Sequence, residues 1–105
     1  MPMMQDSVVV AANSLSVNVL AGQLYEFVPG GANVTVSVAG SATGLRTTYI
    51  CGVPIINDQA INLQNRFPLI PDDIITTGPV PGGRQVLTFR NTTAGPLTAF
   101  WRVDV

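Results

Sequence analysis

Asp72 and Asp73 are the only adjacent acids in the chain, and Cys51 is its only thiol. With Asp58 or an asparagine, the acid pair could offer oxygens to Ca²⁺, which takes about six to eight of them. Adjacent residues on a strand point to opposite faces, and no Asx-rich loop accompanies the pair. Because Pro71 precedes it, the pair is read as initiating a turn through side-chain-to-backbone bonds, and no metal ligand is assigned. A glycosidase would need one protonated and one ionised acid across a cleft; nothing in the six scattered acids singles out such a couple. Cys51 has no histidine anywhere in the chain to act as its base, so it is read as a small buried hydrophobe. Gly30-Gly31 and Gly82-Gly83 are followed neither by Lys-Ser/Thr nor by a helical pattern. They are not phosphate loops but turns that need positive φ. Asn33-Val34-Thr35 and Asn91-Thr92-Thr93 match the glycosylation sequon and are read as unmodified, since no secretory signal precedes them. No catalytic residue, metal or cofactor is assigned; a non-enzymatic protein without a small-molecule substrate is expected.

Composition points the same way. Five basic and six acidic residues make up 10% of the 105-residue chain, with no histidine, against ~25% charged in an ordinary soluble domain. All five basic residues are arginines, and the net charge is −1. There is no basic patch to neutralise phosphates, so nucleic acid is not an expected partner. Hydrophobic residues are 47% and the mean hydropathy is +0.38. Yet the longest aliphatic run is Val8 to Ala12, far short of the ~20 residues that span a bilayer. The start, Met1-Pro2-Met3-Met4-Gln5-Asp6, has no basic residue before that run and so lacks the pattern of a signal peptide. The apolar excess must go into a core or an oligomer contact. A closed homotrimer is expected to hide it.

The elements that must carry these residues are short strands. Residues 1–13 alternate poorly and read as an N-terminal arm, ahead of a β-barrel domain over 14–105. Leu15 to Val19 alternates apolar and polar, the period of a half-buried strand. Gln23 to Val28 reads as a second strand, halted by Pro29-Gly30-Gly31. Asn33 to Val38 repeats the alternation without a fault, and Leu45 to Cys51 follows after a Gly-Ser turn. Ile55 to Leu63 is ambiguous, readable as two short strands around Asn57-Asp58. Phe67 to Asp73 is a proline-bounded loop, Ile74 to Thr77 a short edge strand, and Gly78 to Gly83 a connector. Arg84 to Asn91 and Leu97 to Val105 are the last strands. About seven or eight strands at ~8–12-residue spacing indicate an all-β fold, a single antiparallel β-sandwich or barrel of jelly-roll type.

The final strand assigns faces. Leu97, Ala99, Trp101, Val103 and Val105 share one, placed in the core; Thr98, Phe100, Arg102 and Asp104 share the other. Phe100 beside Arg102 suits an interface, where aromatics and arginine are enriched. Val8, Val9 and Val10 in the arm are expected to pack on a neighbouring chain. A carbohydrate-binding module is the alternative from another class. Its rings would need exposed Trp or Tyr, and with Trp101 inward only Tyr25 and Tyr49 remain.

Arg66-Phe67-Pro68-Leu69-Ile70-Pro71-Asp72-Asp73, then Pro81-Gly82-Gly83 leading into Arg84-Gln85-Val86-Leu87-Thr88-Phe89-Arg90-Asn91-Thr92-Thr93, then an alternating terminal strand, resembles small β-barrel structural proteins of tailed bacteriophages. The likeness spans roughly residues 60–105 and is closest to capsid cement or decoration proteins. It implies a homotrimer on the virion surface, synthesised in the host cytoplasm, that binds the major capsid protein between capsomers and stabilises the shell. A tail or baseplate component is the alternative within the virion. The chain is short for a complete jelly-roll coat subunit and lacks a basic arm.

Overall fold

The computed structural model describes residues 3–22, 26–61 and 73–105. Its strands are β1 Met3–Val10, β2 Phe27–Val28, β3 Asn33–Gly40, β4 Leu45–Cys51, β5 Val53–Ala60, β6 Ile74–Pro79, β7 Gly83–Asn91 and β8 Leu97–Asp104. They form two four-stranded sheets, one in the order β1-β8-β3-β6 and the other β2-β7-β4-β5. The first strand pairs with the last, the second with the second-last, and so inward to β4 with β5, all antiparallel. A long hairpin folded over into two sheets has this pairing, and it is the topology of a jelly roll.

The strand alternation explains the sandwich. In β3, Val34, Val36 and Val38 are buried while Asn33 and Thr35 are not. Beside it, Ala99, Trp101 and Val103 of β8 turn inward, with Leu97 and Val105 packed against them. The opposing sheet contributes Leu45, Tyr49 and Cys51 from β4 and Leu87 and Phe89 from β7. Burying each larger side chain contributes roughly 1.5–3 kcal/mol. The face assignment of the last strand therefore holds, and Cys51 is a buried free thiol.

Connections gather at the two ends of the sandwich. At one end the turns around Gly30, Gly52 and Gly82 touch. Gly82 has φ +93°, and a Cβ there would lie 2.4 Å from the Gly30 nitrogen. Gly31 and Gly83 also take positive φ as expected, whereas Gly30 is small because the Pro81 carbonyl oxygen would meet its Cβ at 2.9 Å.

Three expectations need correction. The residues read as an arm form, over 3–10, a full strand in unbroken register with β8, from Met3 opposite Asp104 to Val10 opposite Leu97. Aliphatic side chains at every second position from Val8 suffice to seat that edge, even with polar Asp6 and Ser7 between. Asn57-Asp58 does not split the chain in two. It is a bulge within one strand, where Asp58 takes φ 52° and the register with β4 shifts. Leu15 to Val19 forms no strand: it makes one isolated bridge, Leu15 to Arg90, and turns Leu15 and Val17 outward while Val19 packs on the core. The proline-bounded loop and Asp72 fall outside the described residues; Asp73 is buried at the head of β6.

Candidate interaction surface

Five residues were expected at an interface, and the structure divides them. Val10 is 1% exposed and belongs to this chain's own core; Val8 is half-buried against that core. Val10 is not available to a neighbouring chain as expected, and Val8 only in part, because β1 is docked on β8 and turns its even positions inward. Val9 points the other way and is 67% exposed. Phe100 is half-buried on the outer face of the first sheet, flanked across the ladder by Ser7 and Ala39. Arg102 lies on that face too, but its guanidinium forks onto Asp104 two residues on, at 2.9 and 3.1 Å.

The larger apolar exposure lies elsewhere. The segment 14–19 runs antiparallel along β7 and satisfies its free edge. Ser16 N–H donates to the Phe89 carbonyl at 2.7 Å, and Phe89 N–H donates back to Ser16 Oγ at 2.9 Å. Asn18 Oδ1 accepts from Leu87 N–H at 3.0 Å and from Leu20 N–H at 3.1 Å. The polar residues thus turn toward β7, and Leu15 and Val17 are left 64% and 76% exposed. Leu15 bridges opposite Arg90 and Phe27, 67% exposed, pairs opposite Arg84. Partners in a ladder share a face, so these apolar side chains rim the outer face of the second sheet. The only sequence signal for them was the spacing of Ser16 and Asn18, two side chains able to bond a strand edge.

Charges on that face cancel locally. Asp58 receives Arg90 through two bonds, at 2.9 and 2.6 Å, and Arg46 Nε lies 3.2 Å from it. The Arg90 hydrogen bonds hold the Asp58 carboxyl below the usual range, and the carboxylate in turn raises Arg90. An open cleft of about 430 Å³ lies beside this clasp, with Gly44 and Thr92 on its wall. Arg84 binds Glu26 at 2.8 Å; a hydrogen bond from the Gly22 N–H, then Arg84, lowers Glu26.

Inside the sandwich, Tyr49 Oη donates to Gln85 Oε1. Burial first, then neighbouring Cys51, pushes the phenol well above its ordinary value. Such a group neither gives nor takes a proton near neutral pH. Asn91, in the second sequon, is buried, and its Nδ2 donates to the carbonyls of Val10 at 3.0 Å and Gly95 at 2.8 Å. That amide nitrogen is committed to the fold. No group of three or more metal-ligating side chains occurs among the described residues. The arrangement as a whole is a sandwich in which the arginines at 46, 84, 90 and 102 are each paired with a carboxylate, with apolar residues on its rim.

The chain matches no protein-family model, no curated protein and no solved structure.

Proposed function

We propose that this chain is a non-enzymatic structural protein of a virion, a cement or decoration protein. It would bind the outer shell of a tailed-phage capsid between capsomers, as a homotrimer. The observation that supports this most is the set of large apolar side chains held outward on a jelly roll, with Leu15, Val17 and Phe27 along one rim. Expelling water from such side chains contributes ~25 cal/mol per Å² before association costs. Repetition over a symmetric lattice then multiplies a modest contact. The arginines at 46, 84, 90 and 102 are each paired with a carboxylate of the same chain, which lets copies sit side by side without strong repulsion. A carbohydrate-binding role is less well supported, since Trp101 and Tyr49 are both buried, while Tyr25 lies outside the described residues.

Mass spectrometry of purified virions that encode this chain, with a map of the particle, tests the reading. Stoichiometric copies on the outer shell are expected. Absence from the particle overturns the virion assignment, and density confined to the tail replaces the cement role with the tail or baseplate alternative.

A further inference from the structure

The segment 14–18 is held to β7 in a register that its own flanks do not share. Asn13 N–H donates to the Thr93 carbonyl and Val19 N–H to the Leu87 carbonyl, each at 3.0 Å. In an antiparallel ladder two residues joined by such a bond face each other. Continuing either pairing two residues at a time sets Leu15 opposite Asn91 and Val17 opposite Phe89. Between the flanks the chain is instead displaced by one residue. Asn91 N–H donates to the Ser14 carbonyl at 2.9 Å, Ser16 N–H donates to the Phe89 carbonyl at 2.7 Å, and Leu15 bridges Arg90. Asn13, where the displacement begins, takes φ 52°. The stretches from Asn13 to Val19 and from Leu87 to Thr93 are equal in length, so the middle can enter the flanking register while both flanks stay where they are.

A one-residue slip exchanges the two faces of a strand. In the displaced register, side chains stand in for main chain on the β7 edge. Ser16 Oγ accepts from Phe89 N–H at 2.9 Å and Asn18 Oδ1 from Leu87 N–H at 3.0 Å, while Asn18 Nδ2 donates to the Gln85 carbonyl at 3.2 Å. Leu15 and Val17 are left in water, and their N–H groups make no hydrogen bond among the described residues. In the flanking register Phe89 N–H and Leu87 N–H meet the carbonyls of Val17 and Val19. Val17 then turns inward, into a notch of about 240 Å³ that it lines with Asp6, Val8, Val19 and Trp101.

We infer that residues 14–18 are a strap with two registers. The outward register presents Leu15 and Val17 on the rim. The inward one withdraws them, fills the notch with Val17 and gives the surface to Ser16 and Asn18. Burial of two apolar side chains favours the inward register, and the bonds of Ser16 and Asn18 favour the outward one. A partner that covers Leu15 and Val17 removes the cost of their exposure and draws the strap outward. Within the function proposed above, on which only the partner's identity rests, that partner is a neighbouring copy in the trimer.

The test is backbone NMR on the full chain carrying Phe27→Lys, which weakens association through the rim without touching the strap. Relaxation dispersion at the Ser16, Val17 and Phe89 amides should report one shared exchange process, with a minor state on the order of 1–10%. Val17→Asp, whose carboxylate is excluded from an apolar notch, should abolish it. Ser16→Ala combined with Asn18→Ala should invert the pattern of hydrogen exchange, slowing the Val17 amide and speeding the Ser16 amide by roughly tenfold each. Absence of dispersion, or dispersion that survives Val17→Asp, overturns the inference. So does a double variant in which Ser16 stays protected and Val17 does not. Light scattering on the double variant with Phe27 intact separates this claim from the function. Trimers that persist with the register inverted keep the switch and remove Leu15 and Val17 from assembly. A single-register strap in a protein that still forms trimers sinks the switch and leaves the cement reading standing.

Discussion

Tyr49 and Gln85 show what individual residues contribute here. Both are fully buried, so removing one partner leaves a polar group without its bond at a cost of about 1–3 kcal/mol, whereas replacing both by apolar groups can be nearly neutral. Tyr49→Phe and Gln85→Leu should each lower stability in urea denaturation by about that amount, with the double variant costing less than the sum of the two. The carboxylates at 26 and 58 predict a pH dependence. Their folded pKa values lie below the ordinary ones. Such groups add stability above the unfolded pKa of about 4, and that contribution is lost as pH falls through the folded value. Tm should hold between about pH 5 and 7 and fall below about pH 4, with Asp58→Asn flattening part of the slope. The effect is small because both groups are exposed to solvent. Tyr49 acts in the opposite sense. Its folded pKa is raised, so its contribution is complete below the ordinary phenol value of about 10 and is lost as pH climbs beyond it. Melting followed to alkaline pH checks this arm. At this scale the sequence was informative about what is missing, since a chain without histidine shows its poverty in proton-transfer groups directly. It was silent about the Asp58 clasp, whose three members lie far apart in sequence.

Among elements, β1 was the most plainly misread, and it makes the sharpest prediction. Its sequence, MMQDSVVV, does not alternate cleanly because Val9 is apolar yet outward. The pairing with β8 decides its place, and Val10 alone adds roughly 1.5–3 kcal/mol by burial. Deleting residues 1–10 should therefore unfold the domain or lower its urea midpoint sharply, against a typical total stability of about 5–15 kcal/mol; an unchanged midpoint would restore the arm. β3 and β8 were legible because each combines a two-residue period with a Gly or Pro boundary, and β4, β6 and β7 because turn residues bound short runs of strand-favouring ones. The stretch Leu15 to Val19 had the period but not the polarity. Alternation defines two faces without saying which is inside, and here the backbone bonds available on β7 attract Ser16 and Asn18 more than the core attracts Leu15 and Val17.

For the whole molecule, the consequence is a β-sandwich with an apolar rim. If that rim is what trimers bury, Val17→Lys or Phe27→Lys should shift the protein from trimer to monomer in light scattering at tens of micromolar, while leaving its melting little changed, as surface substitutions usually do. A wild-type monomer under those conditions would remove the trimer from the proposed function. The all-β class, the approximate strand count and the inward face of β8 followed from sequence alone, because period, turn residues and hydrophobicity are local properties that each strand carries by itself. The pairing of first strand with last, the docking of β1, the outward turn of Leu15 and Val17 and the notch at Asp6 were decided only in the tertiary structure. Each depends on which strand lies alongside which, and in a jelly roll those partners come from opposite ends of the chain, beyond the reach of any local pattern.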